Sequence, residues 1–144
     1  MKQILQTVAL AAALSCAYTV RADNYVSEVW CPDLGNGYYK NPILYADYSD
    51  PDVCRVGEDY YMTSSSFNCI PGLQILHSKD LVNWEILSAA VPYALPPVDD
   101  VAPQHGNRVW APSIRYHEGW FYIFWGDPDQ GAFMTKSQDV AGRW

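Results

Sequence analysis

The sequence is short of basic residues. Lys and Arg total 9 against 16 Asp and Glu, which gives a net charge of -7 over 144 residues. No run of Lys or Arg interrupts this acidic balance. Because nucleic acids are bound through clustered Lys and Arg, the composition predicts no nucleic-acid partner. The hydrophobic fraction of 49% is that of a folded globular chain, and the length suits one small domain.

Cysteine and histidine are also scarce. The chain has 4 Cys and 3 His, and their spacing does not match a zinc site, so no metal ligands are predicted. If Cys16 is removed with a leader, the remaining cysteines are Cys31, Cys54 and Cys69. An odd number cannot pair fully. Cys54 falls within a strand pattern and is predicted to be a buried free thiol.

A long apolar run is absent except near the N-terminus. The segment from Ile4 to Ala17 is mostly apolar, and Val20-Arg21-Ala22 follows it. The run is short for a membrane span, which needs about 20 residues. We therefore predict a signal peptide over residues 1–22, export of the protein and no membrane span. A membrane anchor, or a lipid attached at Cys16, is the weaker alternative.

Aromatic residues, by contrast, are abundant. They make up 15% of the chain, with Trp 6 and Tyr 11, beside Pro 10 and Gly 9. This composition favours β structure and surfaces that stack on flat ligands. An irregular lead-in over residues 23–40 precedes a series of short runs bounded by turn residues, and a proline-rich loop over residues 91–107 interrupts the series. The strands predicted from these runs are Val53–Val56, Asp59–Ser64, Leu73–His77, Trp84–Leu87, Val109–His117, Trp120–Trp125 and Gly131–Ser137.

Two segments of the chain resemble each other at a spacing of about 60 residues. Pro51 falls on Pro112, and a Ser-x-Asp turn before Trp84 matches one before Trp144. Units of this length with several short strands suit blades of a β-propeller, although a chance likeness between two aromatic hairpins remains open. We predict an all-β fold with about one and a half to two blades in residues 41–144. Because a propeller closes with about 4–8 blades, we expect a truncated, N-terminal part of such a domain.

A set of short motifs then resembles a known family. In order they are Asn41-Pro42-Ile43, Ser49-Asp50-Pro51, Arg55 to Tyr61, Ser64 to Phe67, Pro71 to Ile75, His77 to Trp84 and Trp110 to Ser113. Together they closely resemble the start of glycoside hydrolase family 43, which includes β-xylosidases and α-L-arabinofuranosidases. The resemblance covers about residues 38–144. It implies a five-bladed β-propeller and the hydrolysis of xylo- or arabino-configured oligosaccharides of plant cell walls.

The resemblance also implies an inverting mechanism. Inversion needs a general base and a general acid about 6.5–9.5 Å apart, with water between the base and the sugar. By motif position Asp50 matches the general base, and a third acid of the family tunes the pair. The alternative for Asp50 is a turn carboxylate that accepts backbone N–H groups. Asp52 receives no role.

The other two family acids have no counterpart in this chain. Asp127 and Asp129 echo the first motif, but they follow a strand and are interpreted as solvated loop acids. With a base and no acid, the 144-residue chain is expected to be inactive by itself, since general acid catalysis contributes about 10²–10⁴-fold.

Substrate contacts are predicted by the same resemblance. Phe67 and Trp110 match positions that line the sugar subsite, with packing between blades as the alternative for each. Independently of the resemblance, His105 and Gln104 lie just before Trp110 in the proline-rich loop, from which they could reach sugar hydroxyls, with a structural role as the alternative for His105. No cofactor is predicted, although a structural calcium occurs in some family members. The competing function is a propeller that binds carbohydrate without catalysis, in which Asp50 has no catalytic duty.

Overall fold

The computed structural model describes residues 27, 29–93 and 105–144. The predicted signal peptide, Cys16, Gln104 and most of the proline-rich loop lie outside these residues. The regular elements are β1 (Asp52–Val56), β2 (Asp59–Thr63), β3 (Gly72–Ser78), β4 (Glu85–Val91), β5 (Trp110–His117), β6 (Trp120–Asp127) and β7 (Gly131–Ser137). Within these described ranges, no helix is long and apolar enough to cross a membrane.

The strands form two antiparallel sheets. In the first sheet the order is β1-β2-β3-β4, and in the second it is β5-β6-β7. Each strand therefore pairs with its neighbour in sequence, which is the up-and-down order of a propeller blade. The all-β prediction is confirmed. The two sheets also correspond to the two repeat units that the sequence shows about 60 residues apart.

Tight turns close the first hairpin of each sheet. In the second sheet, Glu118 and Gly119 have φ angles of 48° and 83°. Two successive residues with positive φ are typical of a type I′ turn, whose twist matches that of the flanking strands. In the first sheet, Gly57 has a φ of 64° at the corresponding turn. The sequence places a glycine at both turns because other residues adopt this conformation at a cost.

The core lies between the two sheets. Leu73 and Ile75 of β3 are fully buried, as are Ile114 of β5 and Ile123 of β6. All four belong to one hydrophobic cluster. Leu73 and Ile75 are two positions apart on β3, the period that places alternate strand residues on one face. Burial of this shared apolar face holds the sheets together.

The opposite face of the second sheet is less covered. Phe124 is 48% exposed and Met134 is 51% exposed, and the two residues pair across β6 and β7. Contiguous exposed apolar side chains are unusual on a closed surface. This face is therefore suited to contact further protein.

The predicted turns after β3 and β7 share one construction. In the first, the indole N–H of Trp84 donates to the carbonyl of Leu81 at 3.0 Å, and Asp80 accepts the N–H groups of Val82 and Asn83. The backbone N–H of Asn83, followed by its side-chain amide, lowers the pKa of Asp80 to about 2. These bonds close the turn before the next strand begins.

The second turn repeats this arrangement. The Trp144 indole N–H donates to the carbonyl of Val140 at 3.3 Å, and Asp139 accepts the N–H of Ala141 at 3.0 Å. The first indole reaches three residues back and the second reaches four, but both turns combine an indole–carbonyl bond with an aspartate that accepts backbone N–H groups, which supports a structural repeat over a chance likeness.

Only β7 has both predicted ends; the other strands shift at one or both ends, and β4 departs most from the prediction. β4 begins at Glu85 because the preceding Trp84 belongs to the turn, and it continues to Val91 where a loop was expected. Pairing with β3 carries it this far, since Gly72 lies opposite Val91 and Gln74 opposite Ala89.

The three described cysteines, Cys31, Cys54 and Cys69, are free. Cys54 is half-buried, where full burial was predicted. Burial, with a smaller contribution from the Asp52 carboxylate, raises the pKa of Cys54 to about 11. A thiol with this pKa is almost entirely protonated at neutral pH and is a poor nucleophile.

Candidate functional site

Asp50 lies in the loop immediately before β1. Its side chain is exposed, and its φ angle is 48°, in the left-handed region that few residues other than glycine adopt. Such conformations persist where surrounding contacts enforce them, and they cluster at functional sites. Pro51 follows and restricts the chain further. The predicted base is thus a solvent-facing carboxylate in a constrained loop.

Ser65, just after β2, contacts this carboxylate. Its hydroxyl donates to Oδ2 of Asp50 at 2.8 Å, and its backbone N–H donates to the carbonyl of Ser49 at 3.0 Å. The same hydroxyl accepts the backbone N–H of Ala111 at 2.8 Å. Ser65 is only 6% exposed. It therefore joins the Asp50 loop to the start of the second sheet.

Asp50 does not cap its own turn as the alternative reading required. Its recorded partner is the hydroxyl of Ser65, fifteen positions along the chain. A local cap would instead accept N–H groups of the next few residues. This contact could not be predicted from the sequence, because Ser64, Ser65 and Ser66 are identical neighbours and only Ser65 bonds to Asp50.

Asp52 has a different function from Asp50, although the two acids flank one proline. Its Oδ2 accepts the backbone N–H of Ile114 at 2.7 Å and the guanidinium of Arg115. Both partners lie on β5, whereas Asp52 begins β1. Asp52 therefore links the two sheets. Its side chain is engaged in structure, so it is a poor candidate for catalysis.

Phe67 lies beside the second sheet. Its N–H donates to the carbonyl of Val109 at 3.1 Å, and the N–H of Val109 donates back to Phe67 at 3.4 Å. This isolated bridge places Phe67 opposite the residue that precedes Trp110. The φ angle of Phe67 is 49°, a second strained position in the same region.

Trp110 opens β5 and is 43% exposed, so packing in the described core is not its role. Its indole N–H donates to the carbonyl of Gly106 at 2.5 Å, which fixes the orientation of the ring. A register shift between Trp110 and Ser113 interrupts the pairing with β6. Irregularities of this kind re-aim side chains near active sites. An exposed, oriented indole is suited to stacking on the C–H face of a sugar.

His105 is exposed and directly precedes Gly106, the residue that accepts the Trp110 indole N–H. The bond between Gly106 and Trp110 therefore places His105 at the edge of the same region. Its predicted neighbour Gln104 lies outside the described residues. The structure thus brings the backbone segments of Asp50, Phe67 and Trp110 together around Ser65, and His105 lies next to the residue that holds the Trp110 indole.

A cavity of about 250 Å³ adjoins this region. Tyr48, Ser65, Phe67 and Gln74 are among the residues that line it. Aromatic walls with a few polar groups are typical of ligand sites. A larger groove of about 710 Å³ lies elsewhere, against Trp30 and the turn before β4, and neither Asp50 nor Ser65 lines it. The smaller cavity is the better candidate because Ser65 and Phe67 line it, although Asp50 and Trp110 lie outside its lining.

The remaining acids of the second sheet do not supply a catalytic partner. Asp127 was predicted to be solvated, and this is wrong: it ends β6 and is 7% exposed. Its Oδ1 accepts the N–H groups of Asp129 and Gln130 at 2.9 and 3.0 Å, because the turn leaves these donors unpaired. Asp129 is exposed in that turn, as predicted.

Across residues 27, 29–93 and 105–144, no group of three or more His, Cys, Asp or Glu side chains is arranged to hold a metal ion.

Two sheets in blade order, with an exposed carboxylate and an oriented tryptophan at their junction, define the class as a β-propeller with a candidate carbohydrate site. Comparison with known proteins gives the family. A family model described as "Glycosyl hydrolases family 43" matches residues 39–144. The chain therefore belongs to glycosyl hydrolase family 43.

Curated relatives support this assignment. A putative beta-xylosidase of Xylanibacter ruminicola is 41% identical over 112 residues, which are 78% of this chain and 20% of the relative. A non-reducing end alpha-L-arabinofuranosidase of Bacteroides ovatus is 38% identical over 117 residues, 77% of this chain and 22% of the relative. The chain spans about a fifth of the length of these relatives.

Solved structures agree. A GH43 protein of Bacillus licheniformis superposes with a TM-score of 0.62 at 36% identity, over 72% of this chain and 22% of the other. A xylan beta-1,4-xylosidase of Bacillus halodurans gives 0.63 at 33% identity, over 72% and 21%. Such neighbours are five-bladed β-propellers, so the two sheets described here are part of that fold.

Proposed function

We propose that this chain contributes the general base of an inverting glycoside hydrolase that acts on xylo- or arabino-configured oligosaccharides. The observation that carries the proposal is Asp50, an exposed carboxylate that Ser65 holds at the junction of the two sheets. A base must be able to reach water and must be fixed in direction. Asp50 meets both requirements.

In the proposed reaction, Asp50 removes a proton from a water molecule as that water attacks the anomeric carbon. The leaving oxygen takes a proton from a general acid on the opposite face of the sugar. Trp110 stacks on a sugar ring, and Phe67 closes the subsite beside it. His105 donates to or accepts from a substrate hydroxyl.

The substrate class rests on the relatives. Relatives named as beta-xylosidases and one named as an alpha-L-arabinofuranosidase match this chain about equally well. We therefore propose pentosidase activity and leave both pentoses as substrates to assay. Release of xylose and of arabinose from aryl glycosides distinguishes them.

The test is the Asp50→Asn variant of the full-length gene product. Asparagine keeps the size of the side chain and removes its ability to accept a proton, so hydrolysis should fall by about 10²–10⁴-fold. Asp129→Asn is a matched control, since Asp129 is an exposed acid in the β6–β7 turn. An Asp50→Asn variant with normal turnover would refute the base assignment. Retained sugar binding by a protein that never shows turnover would support the non-catalytic alternative.

We further propose that residues 1–144 alone do not turn over substrate. Among the described acids, Asp52 links the sheets and Asp127 accepts turn N–H groups, so neither is free to act as the general acid. Purified residues 1–144 should release no pentose from an aryl glycoside that the full-length product hydrolyses. Turnover by this chain alone would refute the proposal.

Export through the N-terminal segment is also proposed. Cleavage after Ala22 would leave a mature protein that begins at Asp23. N-terminal sequencing of the protein recovered outside the cytoplasm tests this, and lipid labelling that depends on Cys16 would favour an anchored form instead.

A further inference from the structure

We propose that Ser65 is a positioning residue for catalysis: its hydroxyl sets the direction of the Asp50 carboxylate and couples it to the strand that carries Trp110. This inference rests on the proposed role of Asp50 as the base. It adds a residue, a hydrogen-bond path and a link between the two halves of the site.

The Ser65 hydroxyl carries a single proton, and its neighbours decide where that proton points. A serine hydroxyl donates one hydrogen bond and accepts up to two. Here the N–H of Ala111 points at the oxygen from 2.8 Å, and a backbone N–H can only donate. The serine proton is therefore directed away from Ala111 and toward Oδ2 of Asp50, also at 2.8 Å. The roles of donor and acceptor are fixed by the neighbours.

The two oxygens of the Asp50 carboxylate have different surroundings. Oδ2 of Asp50 is held by Ser65, whereas Oδ1 makes no hydrogen bond to any described residue. One oxygen is thus anchored in the protein and the other is left for water. A carboxylate with one anchored oxygen has a defined plane and direction, which a base needs because proton transfer requires a heavy-atom distance of about 2.6–3.2 Å.

Ser65 also holds the backbone of the Asp50 loop in place. Ser65 is 6% exposed, and its own backbone N–H donates to Ser49, the residue before Asp50. The Asp50 loop is therefore held at two adjacent residues by one serine. Asp50 also has a positive φ, which is maintained only if the surrounding contacts compensate for the strain. Removing the hydroxyl leaves the carboxylate free to turn and the loop free to relax.

Ser65 also contacts the backbone beside Trp110, the residue proposed to stack on the sugar. Ala111 directly follows Trp110 on β5, whose indole is proposed to stack on the substrate. One hydroxyl thus contacts the base and the backbone beside the stacking residue. A displacement of about 1 Å between reacting groups reduces rates by about 100-fold, so this connection bears directly on turnover.

The predicted effect falls on kcat. Ser65→Ala in the full-length gene product should lower kcat by about 10- to 100-fold and leave KM within about twofold, because the stacking surface remains. Ser65→Thr retains the hydroxyl and should restore most of kcat. Ser88→Ala is the matched control: it also removes a serine hydroxyl with a backbone partner, here the carbonyl of Val140 at 2.6 Å, but Ser88 neither contacts Asp50 nor lines the candidate cavity. Its kcat should equal that of the wild type.

A double-mutant cycle separates positioning from a general loss of structure. If Ser65 acts through Asp50, then Ser65→Ala should cause no further loss of kcat when Asp50 is already asparagine. An equal loss in both backgrounds would mean a structural role and would overturn the inference. Should Ser65→Ala fail to fold, Ser65→Cys keeps the shape and weakens the donor. Wild-type kcat in the folded cysteine variant would then overturn it.

The two proposals fail in different ways. Normal turnover in Asp50→Asn refutes the proposed function, whatever Ser65 does. An inactive Asp50→Asn beside a fully active Ser65→Ala leaves the function in place and refutes only the role of Ser65.

Discussion

Replacing Asp52 by alanine is expected to weaken the junction of the two sheets. The carboxylate accepts the backbone N–H of Ile114 at 2.7 Å, and Ile114 is fully buried. Loss of a hydrogen bond to a charged group costs about 1.5–3 kcal/mol, since the N–H is left without a partner. The ion pair with Arg115 contributes less because the Arg115 side chain is 59% exposed. Exposed pairs contribute about 0.2–1 kcal/mol.

The expected total for Asp52→Ala is therefore about 2–4 kcal/mol of unfolding free energy. Asp52→Asn keeps an oxygen that can accept the Ile114 N–H and loses only the charge. It should cost about half as much or less. Arg115→Ala should cost no more than about 1 kcal/mol, and the Asp52–Arg115 double-mutant cycle isolates the ion pair.

Urea unfolding followed by tryptophan fluorescence measures these differences. With a slope of about 2 kcal/mol per M, Asp52→Ala should lower the midpoint by about 1–2 M. Asp129→Ala is the control, because this acid lies exposed in a turn and should change stability by less than about 0.5 kcal/mol. An Asp52→Ala midpoint equal to that of the control would refute the assigned link. So would equal losses for Asp52→Ala and Asp52→Asn, because the acceptor would then have no importance.

Three further outcomes are expected. His77 bonds to Asp59 at 2.7 Å and to Glu85 at 3.1 Å, and these bonds raise its pKa above 6.5. The wild type should therefore have a higher free energy of unfolding than His77→Gln. This difference should be at its full value below about pH 6.5 and should decline as pH rises through the higher pKa of the folded state. Urea midpoints across this range measure it, and a difference that grows with pH would contradict the sign. Trp110→Ala in the full-length product should raise KM for pentosides by about 10-fold, from the loss of about 1–1.5 kcal/mol of stacking; an unchanged KM in steady-state assays would remove Trp110 from the site. Cys54 should resist iodoacetamide at pH 8 in the folded protein, because burial raises its pKa to about 11; peptide mapping that finds Cys54 modified as fast as in unfolded protein would show otherwise.

Local patterns predicted most of the strands. The Gly131–Ser137 strand has the predicted ends, and the hairpin turns fall on the expected glycines. Errors arose where a distant or side-chain contact decided the outcome. Trp84 has strong β propensity, yet its indole N–H closes a turn and delays β4 by one residue. Pairing with β3 extends that strand to Val91, through residues of modest β propensity.

The site was predicted less completely for the same physical reason. Asp50 is recognisable because a proline and a strand follow it in sequence. Ser65 is not, because its two partners lie 15 and 46 positions away and two identical serines flank it. Asp127 looked like a loop acid, but burial depends on the turn N–H groups that its carboxylate accepts. Only the fold decides such contacts.

The geometry of the proposed base depends on the junction of the sheets as a whole. Several contacts cross it within a few residues, among them Ser65 to Ala111, Phe67 to Val109, and Asp52 to Ile114. Each joins the segment around β1 and β2 to residues 109–114. Because interdigitated cores resist sliding, a change of register at one contact must be shared by the others. The orientation of Asp50 is therefore a property of two blades together, and a peptide of the first sheet alone would not reproduce it.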